Sequence, residues 1–113
     1  MSVEGVAAML PVDDVAAAAK TWEALLGVAP TFVDGDRWAQ FDVGERRIAL
    51  AGSDKVSDKA GVMLKVSDVT AARAAAVAAG LEATALQEGP HEIRCVVSAP
   101  GGPVVLYAAK PKA

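Results

Sequence analysis

The sequence predicts an α+β domain made of one small module used twice, and three observations predict it. The chain reads twice: Val12-Asp13-Asp14-Val15 leads into AAAAKTWEALLG, and Val66-Ser67-Asp68-Val69 leads into TAARAAAVAAG, 54 positions later. Self-similarity at a fixed offset is the signature of a repeated structural unit. Each copy is preceded by an apolar run, GVAAMLPV at 5–12 and GVMLKV at 61–66. Each is followed by short β-like runs separated by turn residues. Either half therefore reads as strand, helix and three strands, and two copies give eight strands and two helices.

The helices are the best-marked elements. Asp13-Asp14 and Ser67-Asp68 stand at their starts, where side-chain oxygens accept hydrogen bonds from free helix N–H groups and negative charge suits the helix dipole. Gly27 and Gly80 stand at their ends, where the left-handed conformation closes a helix. Helical spacing puts Val15, Ala18, Ala19, Trp22, Leu25 and Leu26 on one stripe of the first, which makes Trp22 a core residue. The second presents a smooth alanine face with Val69, Ala72, Ala76 and Ala79. The strands of the first half are expected at 28–33, 38–43 and 46–51, with turns at Asp34-Gly35-Asp36 and Gly44-Glu45. Those of the second are expected at 81–87, 92–97 and 103–109, with turns at Gly89-Pro90 and Pro100-Gly101-Gly102. The polar stretch GSDKVSDK joins them, giving a first module at 1–51, a linker at 52–59 and a second module at 60–113.

Composition narrows the function classes. A chain of 113 residues is one domain, and with 25 alanines and only five aromatics neither half has enough core to stand alone. No apolar run approaches the roughly 20 residues of a membrane span. The first residues lack the basic region of a secretory signal, and the single cysteine, Cys95, cannot form an internal disulfide, so a reduced cytoplasmic protein is expected. A net charge of −3 with scattered Lys and Arg argues against nucleic acid as a partner. One histidine, His91, and one cysteine leave no set of ligands for a Cys/His zinc site. His91 follows Gly89-Pro90 at a hairpin tip and reads as solvated, and Cys95 reads as a small buried apolar residue.

Two short segments give the duplication a family resemblance. Pro11-Val12-Asp13-Asp14 running to Trp22-Glu23-Ala24-Leu25-Leu26-Gly27, and Ala99-Pro100-Gly101-Gly102-Pro103 before the last strand, resemble the vicinal oxygen chelate superfamily of glyoxalase I, bleomycin-resistance proteins and extradiol dioxygenases. The resemblance covers nearly the whole chain. It implies two βαβββ modules forming a curved mixed sheet around a cupped cavity, often completed by a homodimer. Metal-dependent relatives take ligands from the first and last strand of each module. Those positions fall at or near Ala7, Gly61, Leu106 and Ala49 to Ala51 here, all without donor atoms, so no metal or other cofactor is expected.

What remains resembles the metal-free branch, the drug-sequestering binders. Two-residue alternation in Trp38-Ala39-Gln40-Phe41-Asp42 places Trp38, Gln40 and Asp42 on one strand face and Ala39 and Phe41 on the other. The resemblance turns Trp38 into the cup as a stacking aromatic and Phe41 toward the helix. Arg94 faces the cup if Ile93, Cys95 and Val97 are core, and could hold an anionic group. Phe32 lines the cup or packs the core, and alternation alone leaves that open. Leu106 is assigned to the cup and Tyr107 to the helix side. Of Arg46 and Arg47, at most one reaches the cup. The expected function is metal-independent binding of a planar apolar compound, such as an antibiotic or metabolite, by a cytoplasmic homodimer through Trp38, Gln40, Arg94, Phe32 and Leu106. The alternatives are a metal-independent lyase or isomerase using Arg94, His91 or Asp42, and a ligand-free scaffold dimer.

Overall fold

The computed structural model describes residues 2–111. In chain order its elements are β1 (Val3–Pro11), α1 (Val15–Leu26), β2 (Phe32–Asp34), β3 (Trp38–Val43), β4 (Arg46–Ala51) and β5 (Gly61–Val66). There follow α2 (Val69–Ala78), β6 (Glu82–Ala83), β7 (Gln87–Glu88), β8 (Glu92–Ala99) and β9 (Gly102–Ala109). The chain divides into two compact units, one of Ala7–Ala60 and one of the described residues up to Val6 together with those from Gly61 onward. The first residues of β1 belong with the second half, and Ser67 N–H donates to the Ser2 carbonyl at 3.0 Å at the end of β5.

In the Ala7–Ala60 unit the strands run β2-β3-β4-β1, antiparallel except for the parallel β4–β1 pair. Helix α1 starts where the Asp14 carboxylate accepts from Ala17 N–H at 3.0 Å. It ends at Gly27, whose φ of 74° needs glycine and whose N–H donates to the Glu23 carbonyl at 2.8 Å. Its inner stripe of Val15, Ala18, Ala19, Trp22 and Leu26 packs on Ala39, Phe41, Ile48 and Leu50 of the sheet. Leu25 departs from the expected stripe: it is 69% exposed, because at about 100° per residue it falls to one side of the line through Val15, Trp22 and Leu26.

The other unit repeats this plan. Its strand order is β1-β5-β9-β8-β6, with β7 also on β8, and β5–β9 is its parallel pair. Asp68 caps α2 by accepting from Ala71 N–H at 3.0 Å, and Gly80 follows at φ 88°. Val69, Ala72 and Ala76 pack on Val66, Cys95, Val97 and Leu106, while Ala79 at the helix end is exposed.

Two expected strands are shorter than the sequence suggested. Of the 28–33 run only Phe32 and Val33 are in a strand, which continues to Asp34, since Pro30 has no N–H to give a ladder. The 81–87 run splits into β6 and β7, so among the described residues nine strands stand where eight were expected. Thr84 causes the break: its hydroxyl accepts from Val96 N–H at 2.9 Å, a place a backbone carbonyl would fill. The Arg73 guanidinium then binds the carbonyl of Thr84 at 2.6 Å.

Candidate functional site

Register places the side chains on the sheet faces turned away from the helices. In the Ala7–Ala60 unit, directly paired residues form rows across β2, β3, β4 and β1. One row is Asp34, Trp38, Ala51 and Pro11; the next is Phe32, Gln40, Ala49 and Met9; the third is Asp42, Arg47 and Ala7. Paired residues share a face, so Phe32 stands with Trp38 and Gln40 rather than with the core, which decides what alternation left open. Phe41, on the other face, is 0% exposed beneath α1, as the strand periodicity required. The centre of the Trp38 face is built from small residues. Ala49 and Ala51 are buried beside the half-buried Trp38 and Gln40, so the indole and amide rise from a low alkyl floor.

A polar cluster borders that floor. Asp42 accepts from Arg47 Nε at 2.8 Å, from the Thr31 hydroxyl at 2.7 Å and from the Gln40 amide at 3.4 Å. Those bonds, with the Arg47 bond foremost and the Thr31 bond next, hold the Asp42 carboxyl below its ordinary value of 3.8 against the opposing effect of desolvation. The sequence had named Asp42 and Arg47 singly; the hairpin through Gly44, at φ 61°, sets them opposite one another. Thr31 went unnoticed, and nothing in the residue pattern marks it.

A depressed carboxyl contributes stability that is fully present above its unfolded pKa and is lost as pH falls through the lower folded value. Asp42→Asn is therefore expected to cost about 1 kcal/mol at pH 7. The gap to the native protein should close as pH drops below the ordinary 3.8 and then through the folded value. Urea midpoints for both proteins, followed from about pH 7 downward past 3.8, check this. A gap that does not narrow anywhere on that descent would sink the assignment.

In the other unit, Arg94 stands where expected, on the face opposite Ile93, Cys95 and Val97, which do pack against α2. Leu106 requires a correction. It pairs with Cys95 and lies in the core beneath α2, 7% exposed, while Tyr107 pairs with Arg94 on the opposite face. The reason is the hairpin: Ala99 pairs with Gly102, leaving a two-residue turn where three were expected, and one residue of loop length inverts every facing. His91 is exposed at its hairpin tip. Cys95 is buried and free, and desolvation raises its thiol pKa above the usual value.

The positions where the family resemblance implies metal ligands do not fit a metal. Ala7, Ala49, Ala51 and Gly61 carry no donor atom, Leu106 is in the core, and no group of three or more ligating side chains occurs among the described residues.

No protein-family model matches this sequence, and no curated protein matches it. Solved structures do match over almost its full length. A methylmalonyl-CoA epimerase from Streptomyces coelicolor, solved with 2-nitronate-propionyl-CoA, aligns with a TM-score of 0.77 at 13% identity, over 97% of this chain and 100% of that one. A glyoxalase/bleomycin resistance protein/dioxygenase superfamily member from Vibrio splendidus 12B01 aligns with a TM-score of 0.68 at 14% identity, over 95% and 99%. A structure described as an NAD-dependent benzaldehyde dehydrogenase from Legionella pneumophila aligns with a TM-score of 0.81 at 13% identity, over 93% and 99%. Two βα units in which a parallel strand pair is extended by antiparallel strands, under one helix each, define a duplicated α+β class. That class is the vicinal oxygen chelate fold, and this chain has it. At such identities the likeness extends to the fold alone, and the differing descriptions of the neighbours show how little of the chemistry a shared fold fixes.

Proposed function

We propose that the protein is a metal-independent small-molecule binder that takes a planar, partly apolar compound, such as an antibiotic or a metabolite, against Trp38. The observation that carries this reading is the Trp38 face: an indole, the Gln40 amide and the Phe32 ring stand around the alkyl floor of Ala49 and Ala51. An aromatic wall over small residues suits the face of a flat ligand, and a single amide fixes its orientation. Asp42 supports binding over catalysis. A carboxylate already held ionised by Arg47 and Thr31 is a weak proton acceptor, so it anchors the loop at Thr31 rather than serving as a general base. A homodimer in the cytoplasm belongs to the same proposal. Val33 on the edge strand β2 and Leu25 on α1 leave apolar surface that a second copy can cover, and the one cysteine is a free thiol. No helix among the described residues is long and apolar enough to cross a membrane.

Fluorescence titration with planar antibiotics and quinones tests the reading. Trp38 and Trp22 are both half-buried, but Trp22 packs on the core beneath α1 and not on the Trp38 face, so a ring bound there is expected to quench Trp38 saturably. Trp38→Ala should weaken that ligand by about tenfold or more, the scale of a lost aromatic anchor. Saturable binding unchanged by Trp38→Ala, or no saturable quenching across the set, overturns the proposal.

A further inference from the structure

Gln40 stands in the middle of the Trp38 face, paired with Phe32 on one side and Ala49 on the other, with Met9 next in the row. None of those side chains has an N–H or O–H to give. Along β3 itself, Trp38 lies two residues before Gln40 and Asp42 two residues after it, on the same face. A primary amide carries two donors on one side and a carbonyl oxygen on the other. Which side meets Asp42 therefore decides what the face offers a ligand. Asp42 Oδ1 accepts from Arg47 Nε at 2.8 Å, and Oδ2 accepts from the Thr31 hydroxyl at 2.7 Å. Both bonds favour the ionised carboxylate, which can only accept. The Gln40 amide accordingly turns Nε2 to Asp42 Oδ2, at 3.4 Å. The reverse orientation would set the carbonyl oxygen against a charged one.

The Gln40 Oε1 atom is left facing away from Asp42, and no donor among the described residues reaches it. Among those residues every side-chain oxygen or nitrogen closed off from solvent has a partner, so an oxygen without one is open to the surface. Gln40 thus presents an acceptor that is half-buried, accessible and fixed in orientation. We propose that this carbonyl oxygen selects planar ligands with an N–H or O–H donor on the ring edge, such as lactams and aromatic amines, over compounds of the same outline that carry only acceptors. This selection rests on binding at the Trp38 face and names the class of compound bound there. A ring laid against Trp38 and the alanine floor takes solvent from Oε1. A donor on its edge restores the lost hydrogen bond, whereas an acceptor leaves Oε1 unpaired beside a second oxygen. The amide cannot turn to rescue the second kind of ligand, because Asp42 holds its Nε2. Asp42 is thus a positioning residue that sets the polarity of the face through Gln40, and a quinone without a donor stands at the weak end of the planar compounds.

The test uses acridone and xanthone, which share one flat outline and differ in an N–H replaced by an ether oxygen. The full chain is titrated with each, and the Trp38 indole N–H signal is followed by nuclear magnetic resonance, assigned by its loss in Trp38→Ala. The quantity read is the ratio of the two affinities. It is expected to favour acridone and to fall about tenfold in Gln40→Met, which keeps the length of the side chain and removes the amide. The Gln40→Met ratio also measures any preference that belongs to the rings alone. Asp42→Asn should lower the ratio as well, because a carboxamide at 42 accepts either orientation of Gln40. A ratio unchanged by Gln40→Met overturns the proposal and leaves the Trp38 reading standing, provided that both rings bind and Trp38→Ala weakens both. A ratio that falls with Gln40→Met but not with Asp42→Asn overturns the role given to Asp42. No saturable shift with either ring would overturn the Trp38 reading itself, and the selection with it.

Discussion

Phe41→Ala is expected to lower the unfolding free energy by about 3–5 kcal/mol, the range for an aromatic removed from a closed core. Phe41 is 0% exposed and pairs with Ile48 beneath α1, walled by Val15, Leu50 and Trp22. Two of its neighbours, Ala18 and Ala19, are too small to swing into the vacated space. The cavity therefore stays open, and its cost adds to the lost burial. Against a total stability of about 5–15 kcal/mol for a domain of this size, such a loss leaves the chain near its folding threshold. At about 4 °C per kcal/mol the melting temperature should fall by about 15 °C. Phe32→Ala is the internal control. Its ring is 46% exposed on the opposite face, so the expected loss is below about 1 kcal/mol. Denaturant unfolding of both variants measures the contrast. Equal losses would show that the strand facing described for β2 and β3 is wrong.

That contrast also shows which parts of this protein can be read from its residues. The helices were legible because their signals are local: a carboxylate at each start, a glycine just past each end, and an apolar stripe between. The facing of β3 was legible because Trp38 to Asp42 alternate without interruption and the family resemblance supplied the sense. Facing elsewhere depended on the length of a turn. Pro100-Gly101-Gly102 admits a two- or a three-residue connection, and the paired Gly102, at φ 145°, belongs to β9 rather than to the turn. The resemblance had put Leu106 in the cup and so Tyr107 beneath the helix, whereas this pairing places Leu106 in the core and Tyr107 in one row with Arg94. The Asp42 cluster was hidden for a different reason. Its members lie on three separate segments, and only the pairing of β3 with β4, plus the turn before β2, makes Thr31, Gln40 and Arg47 neighbours of one carboxylate. Local chemistry predicts local structure; a site assembled by register is legible only once every turn between its strands is counted correctly.

Gly52→Ala is the second large effect, at a residue that the sequence assigns to a polar linker. Gly52 is buried, and its N–H donates to the Arg37 carbonyl at 2.9 Å while Ser53 N–H donates to that of Asp36 at 3.0 Å. The segment after β4 is thereby laced to the β2–β3 turn so closely that a Cβ on Gly52 would run into the Asp36 carbonyl oxygen and a methyl of Val15. Neither obstacle yields readily. The Asp36 carbonyl sits in a turn closed by Arg37 N–H on the Asp34 carbonyl at 2.9 Å, and Val15, 1% exposed, is the first residue of α1 and part of the core. The expected cost is about 3 kcal/mol, toward the upper end for overpacking a closed site, and larger for Gly52→Val. Gly35→Ala separates this from conformational strain. Gly35 has a φ of 52° with open space around it, so alanine there should cost only about 1–2 kcal/mol. The Gly52 variant carries a further consequence, because the turn it displaces leads directly into Trp38. If the substitution is accommodated by moving the turn, affinity at the Trp38 face should fall together with stability; if Val15 moves instead, the helix core should loosen and affinity should hold. Urea unfolding combined with the quenching titration distinguishes these routes. A stability change within about 0.5 kcal/mol, the range of an ordinary surface substitution, would show that the close approach between Gly52 and the turn does not exist.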